Sequence, residues 1–322
     1  LENHDKICRV MSDERPLIGH FEPLDERGLI PMNTIQGAKS QLSNRFRMRP
    51  ICGLVKQALF ISAGVLVSQG LLLEAAVAGP QGGNVVGGQG LISKPDSTST
   101  LIQQQTHSLA INWQSFNVSA NELVKFNQPS TSAVVLNRVL NQRPTQIFGS
   151  VQANGQVFIL NARGVVIGKT ARVNVGGLFA SSLDIKPEDF MQGKYAFFAR
   201  DGETPGSVAN RGLIQAASGG SVSLVGGEVR NEGTIIADLG HVNLAAGRKA
   251  TLDFDGDGLI RFQVDENILT NPDGAEAAVS NSGDIKAAGG QVLLSAKVAQ
   301  DVFSKSINNS GLIRAGAVVR KG

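Results

Sequence analysis

One nine-residue phrase occurs four times after residue 207, and it constrains the fold more than any other feature. It runs apolar-x-Asn-x-Gly-x-Ile-x-Ala. Its copies are Val208–Ala216, Val229–Ala237, Val279–Ala287 and Ile307–Ala315. A second phrase follows three of them: Gly219-Gly220-Ser-Val222-Ser-Leu224, Leu239-Gly240-His-Val242-Asn-Leu244 and Gly290-Gln-Val292-Leu-Leu294. Alternating apolar positions place one row of side chains on one face of a strand. A single strand–turn–strand unit cannot bury that row; stacked copies bury it against one another. The spacing predicts an all-β, right-handed parallel β-helix with an amino-terminal cap and β-hairpin insertions. Asn and Gly are expected at its corners, supplying positive φ, with the asparagines also bonded in a ladder along the stack. The 50-residue step from Val242 to Val292 holds an insertion rich in Asp and Gly. A β-sandwich with recurring glycine turns would share the period of two, but its strands sit in different environments and need no common phrase.

Composition narrows the function. The 30 basic and 27 acidic residues leave a net charge of +3, too balanced for a non-specific nucleic-acid binder. Aromatics make up 5%, with one Trp and one Tyr, which argues against a base-stacking platform. Two cysteines and four histidines, with no CxxC or HxxxH, point away from a zinc site and from any cofactor.

The amino-terminal segment is different in kind. Residues 32–57 carry Lys39, Arg45, Arg47, Arg49 and Lys56 without an acid. An apolar stretch from Ala58 to Leu73 follows, then Ala76-Val77-Ala78-Gly79. A basic region, an apolar core and an Ala-x-Ala site define a secretory signal with cleavage after Ala78, before Gly79. A membrane helix is the alternative, but Ser68-Gln69-Gly70 interrupts a run already short for a bilayer. Residues 1–31 read as an upstream extension or a misassigned start, 32–78 as a long signal peptide and 79–322 as the β-helix domain, truncated at its C-terminus. Cleavage removes both cysteines, Cys8 and Cys52, so the mature chain needs no disulfide in the periplasm.

Between Gly90 and Phe198 several phrases occur in a fixed order: Ile111-Asn-Trp113-Gln-Ser-Phe116-Asn-Val118, Val124-Lys-Phe126-Asn-Gln128-Pro129, Val134-Val-Leu136-Asn137-Arg138-Val139, Ala153-Asn154-Gly155-Gln156-Val157-Phe158, and Ala180-Ser-Ser-Leu183-Asp184-Ile185. This resembles the secretion domain of two-partner-secretion exoproteins, the filamentous haemagglutinin family, in its high-molecular-weight-adhesin-like branch. The family's Asn-Pro-Asn-Gly turn is here Asn161-Ala162-Arg163-Gly164. It keeps the terminal Asn and Gly but lacks the proline that presets φ, so a looser turn is expected.

The resemblance implies the amino-terminal secretion domain of a large surface adhesin. Such a domain is recognised by an outer-membrane β-barrel transporter and passes through it unfolded. Entry to the periplasm uses the general secretory translocon, and the exported protein meets a host-surface glycan or protein receptor. A haem-acquisition or toxin-delivering exoprotein is the alternative within the family, and a carbohydrate-active β-helix enzyme the alternative outside it. The residues assigned to export are Asn137, Arg138, Asn154, Gly155, Asn161 and Gly164. Corner residues serving folding alone would have the same identities.

Trp113, Phe116 and Phe126 are expected to form an amino-terminal cap covering the first coil, by core packing rather than ligand contact. Asp253-Phe-Asp255-Gly-Asp257-Gly258 begins like a calcium loop, but Val264 stands where the bidentate Glu belongs. Asp184, Glu188 and Asp189 form the densest acidic group, expected on a surface loop around Lys186-Pro187. His107 and His241 have no paired acid or Cys nearby in the sequence. No nucleophile or P-loop motif occurs, so the chain is expected not to be an enzyme.

Overall fold

The computed structural model describes residues 79–254, 260–271 and 273–316. Within them the chain winds through three long sheets that enclose one core. Sheet A contains Ser108–Trp113, Val134–Val139, Gln156–Asn161, Gly177–Ser181, Ser221–Gly226, His241–Ala246 and Gln291–Ala296. Sheet B contains Thr145–Ile147, Val165–Ile167, Ser207–Asn210, Glu228–Asn231, Ala277–Asn281 and Lys305–Asn309. Sheet C contains Ser99–Gln104, Leu123–Asn127, Ser150–Ala153, Arg172–Val175, Leu213–Ala216, Thr234–Ile236, Asp284–Lys286 and Leu312–Arg314. The chain visits C, then A, then B, and starts again. Each of these strands pairs in parallel with its counterpart one coil away, as a parallel β-helix requires.

The register shows why the sequence repeats. Val208, Val229, Val279 and Ile307 lie in one stacked row, and Ile214, Ile235, Ile285 and Ile313 in another. Val222, Val242 and Val292 form the matching row in sheet A. Side chains of the same shape stack on themselves, so the apolar positions of the phrase repeat from coil to coil.

The asparagine ladder is present. Asn210 Nδ2 donates to Asn231 Oδ1 at 2.8 Å, Asn231 to Asn281 at 2.7 Å and Asn281 to Asn309 at 2.7 Å. Corner glycines Gly219 and Gly289 supply positive φ as expected, but for the glycines of the nine-residue phrase the expected reason is corrected. Gly212, Gly233, Gly283 and Gly311 are not in the left-handed region. A Cβ on any of them would run into the carbonyl oxygen of the glycine one coil earlier. Close approach of stacked coils, rather than positive φ, excludes a side chain there. The ladder asparagines also keep negative φ; Asn210, Asn231 and Asn281 are buried at strand ends, and Asn309, at the last described coil, is exposed.

The amino-terminal cap is a pair of antiparallel strands, Asn84–Gly87 on sheet A and Gly90–Ser93 on sheet C. They supply the hydrogen bonds that the first coil would otherwise leave open. Trp113, Phe116 and Phe126 are fully buried beneath this cap, and Trp113 meets Phe116 edge to face at 5.5 Å.

Two excursions leave the helix, and they meet each other. Residues 183–206 contain a short helix, Pro187–Met191, and a strand, Tyr195–Phe198. The long insertion forms the hairpin Lys249–Phe254 and Ile260–Asp265, whose first strand pairs antiparallel with Tyr195–Phe198. Together they cover the outer side of sheet A and create a second apolar core.

Candidate functional site

The six residues assigned to export fall on successive coils but not on one surface. Asn137 and Arg138 lie inside strand Val134–Val139, Asn154 and Gly155 at the corner between sheets C and A, and Asn161 and Gly164 at the corner between A and B.

Asn137 points inward and occupies an otherwise aliphatic row between Ile111 and Ile159. A buried amide needs partners to offset its lost hydration. It has them: Trp113 Nε1 donates to its Oδ1 at 3.0 Å, and its Nδ2 donates to the Phe158 carbonyl at 3.1 Å. Arg138, the next residue, faces outward. It makes a two-pronged ion pair with Asp184 at 2.6 and 2.7 Å, and Arg200 joins the same carboxylate at 2.8 Å. The Asp184 carboxylate is almost wholly buried, contrary to the surface loop expected for it, while Glu188 is exposed and Asp189 half-buried on the short helix. The excursion folds over sheet A, and the cation on that sheet draws the acid under the fold. Burial alone pushes the Asp184 carboxyl up, but Arg138 and then Arg200 outweigh it and hold it below the usual value of 3.8.

The C-to-A corner is an amide stack. Asn154 Oδ1 accepts from the Gln128 backbone N–H at 2.8 Å, and its Nδ2 donates to the Gln128 carbonyl at 2.9 Å. Gly155 N–H donates to Gln128 Oε1 at 2.9 Å. Gln128 Nε2 reaches Gln104 Oε1 at 3.2 Å, and Gln104 Nε2 closes the set on the carbonyls of Thr106, His107 and Val134. Three coils are thereby tied at one edge.

At the A-to-B corner Asn161 Nδ2 donates to the Arg143 carbonyl at 2.8 Å and to Thr145 Oγ1 at 3.1 Å. Its Oδ1 accepts from Arg163 N–H at 2.9 Å, and Gly164 N–H closes the turn on the Asn161 carbonyl at 2.8 Å. Gly164 has φ +113°, and a Cβ there would strike Ser207 O. The turn without proline is therefore held by side-chain bonds. Arg163, which occupies the position of the family's second Asn, also bonds Gln142 Oε1 at 2.8 Å and contacts Glu203 at 3.4 Å.

The sequence reading missed Gln104, Gln128, Asp184 and Arg200 as members of this network. A polar pair, Asn137-Arg138, inside an apolar strand was the available signal: one member must find a partner in the core and the other on the outer face. His107 is exposed and His241 partly so. Asp255 and Asp257 of the calcium-like loop, and residues 1–78 with Ala76 and Ala78, lie outside the described residues. Gly79 lies just inside them, with φ +74°. Among the described residues no group of three or more His, Cys, Asp or Glu could hold a metal ion, and no helix is long and apolar enough to cross a membrane.

Residues 76–322 match the family model described as TPS secretion domain, TPS standing for two-partner secretion. This chain is a TPS secretion domain. It is 35% identical over 225 residues to a heme/hemopexin-binding protein of Haemophilus influenzae strain Rd, covering 68% of this chain and 24% of that protein. A second heme/hemopexin-binding protein of Haemophilus influenzae is 31% identical over 263 residues, covering 75% of this chain and 27% of the relative. The chain thus spans about a quarter of the length of these curated relatives. Among solved structures, the HMW1 secretion domain from Haemophilus influenzae matches with a TM-score of 0.64 and 33% identity over 75% of this chain and 60% of that one. Membership of the TPS family implies a dedicated outer-membrane transporter as partner and secretion through it.

Proposed function

We propose that this domain is the export determinant of a large exoprotein, and that Asn137, Arg138, Asn154, Gly155, Asn161 and Gly164 form the segment whose integrity export needs. The family match over residues 76–322 carries the reading. Residues 32–78 act as the signal peptide, processed between Ala78 and Gly79 after passage through the general secretory translocon. The chain then engages its transporter before folding, and coils form outside one after another. Nearest-neighbour stability suits this order, since each coil needs only the one before it.

The test is co-expression of the chain with its outer-membrane transporter and measurement of protein in the medium. An Asn137→Ala/Arg138→Ala/Asn154→Ala variant is expected to accumulate, signal-processed, in the periplasm. Wild-type levels in the medium would overturn the assignment. Refolding of the purified variant, followed by far-UV circular dichroism, separates lost recognition from lost folding.

For the exported protein as a whole, the similarity to heme/hemopexin-binding proteins supports a haem-acquisition role. The match to the HMW1 domain supports the second reading, a surface adhesin with a host receptor. Haemin-agarose retention of the full-length exoprotein against its adherence to epithelial cells distinguishes the two.

A further inference from the structure

The three sheets differ in what covers their outer sides. Sheet A lies under the second apolar core. Sheet B is partly covered, to the point that Glu228, on its outer side, is fully buried. Among the described residues nothing of the kind covers the outer side of sheet C, and its composition is selective. One register row runs Lys125, Gln152, Asn174, Gln215, Ile236, Lys286 and Arg314 down the length of the sheet. Apart from Ile236, and Leu101 at its head, it holds cations and amides and no acid. The neighbouring row adds Arg172 and, well down the stack, a single acid, Asp284. Lys169 and Arg211 flank it in an open groove at the preceding corner, where Glu232 pairs with Arg211 at 3.2 Å and, among the described residues, Lys169 is left without an acid. A second groove, lined by Lys125, Asn127, Gln152, Asn154 and Asn174, borders the other edge.

Lys125, Lys169 and Arg172 make no ion pair among the described residues, whereas Arg211 beside them and Arg138, Arg163, Arg200 and Arg230 on the other two sides are matched to acids. Counterpart strands stand about 4.8 Å apart, so the row from Lys125 to Arg314, six steps, extends roughly 29 Å along the axis. Amides offer both donors and acceptors, as a sugar hydroxyl requires, and unpaired cations call for anionic groups. The row contains no aromatic side chain on which a base could stack.

We propose that the outer side of sheet C binds a linear anionic polysaccharide lying along the coil axis. The cations neutralise its acidic groups and the amide row bonds its hydroxyls. This site is independent of which transporter exports the chain.

The full chain is tested on immobilised polygalacturonate, with neutral dextran and double-stranded DNA as competitors. Saturable binding is expected, displaced by free polygalacturonate but not by dextran or DNA. A Lys125→Glu/Arg172→Glu variant should bind at least tenfold more weakly, with circular dichroism unchanged because both side chains face water. Gln152→Ala/Asn174→Ala should bind severalfold more weakly with an unchanged salt dependence, since it removes hydroxyl contacts and no charge. Lys194→Glu/Lys297→Glu, away from the row, should bind as the wild type does. No binding, equal displacement by DNA, or equal loss in the Lys194/Lys297 control would overturn the proposal.

Discussion

The coils between Ser99 and Ser181 and those after Ser207 use the same three sheets but hold together differently. In the later coils one device repeats: an inward asparagine bonded to its neighbour above and below, with aliphatic rows on either side. In the earlier coils no device repeats. Trp113 is bonded to Asn137, Gln104 to Gln128, Gln128 to Gly155, and Arg138 to an acid 46 residues away. Phe158, on the outer side of sheet A, touches four aromatic rings from three other elements at 5.2–6.2 Å. A repeated ladder can be lengthened or cut with a local effect, because each coil depends only on its neighbours. The early coils are a single cross-linked block, so damage there spreads.

This contrast can be broken by mutation. Phe158→Ala should have the largest effect, about 4 kcal/mol, because it empties the centre of the second core. Urea unfolding should show the early block melting as a unit; loss confined to the hairpin would contradict the cross-linked picture. Asp184→Asn should cost roughly 3 kcal/mol at neutral pH by leaving Arg138 and Arg200 short of their shared partner. The sign with pH follows from the lowered carboxyl. Its stabilisation is present above the ordinary value of 3.8 and is lost as pH falls through the lower folded value. The wild type and Asp184→Asn should therefore converge in stability in strong acid.

Asn231→Ala strands the Nδ2 of Asn210 and the Oδ1 of Asn281 and should cost about 2 kcal/mol. The matching change at Asn309, last in the described ladder, should cost less than half of that. Equal costs would mean that the ladder contributes through each coil separately and not through the coupling between coils.

Leu239 sharpens the comparison from the other side. It sits at φ +57° where the equivalent corners carry Gly219 and Gly289, and it is exposed. Leu239→Gly should stabilise the later coils by about 1 kcal/mol by relieving a left-handed leucine. Glu228→Gln should give a smaller gain. Burial pushes the Glu228 carboxyl above its usual 4.5, Arg230 pulls it back, and Asp273 adds to the rise. Neither Glu228 oxygen has a hydrogen-bond partner among the described residues, although Arg230 lies 3.1 Å away. The native state holds this proton longer than the unfolded chain does. Stability therefore declines as pH climbs from 4.5 through the folded value, and the benefit of Gln should appear at neutral pH and vanish in acid.

Periodicity alone determined the stack, the asparagine ladder and the pairing of Val222 with Val242 and Val292, because equivalent positions in a solenoid face equivalent neighbours and so repeat in residue type. The cap and the site residues of the early coils were legible as a family's ordered phrases, though not as a network. Tertiary structure decided the rest. Two excursions far apart in sequence, one ending near Gly206 and the other starting near Gly247, pair with each other and bury a second face of sheet A. The unbroken apolar run Val157-Phe158-Ile159-Leu160 hinted at burial on both sides of a strand, but not at what would cover it. Asp184 looked like one of three exposed acids, and only the fold brings two arginines to it. Contacts made once, between segments with no repeat, leave no period in a sequence to be read.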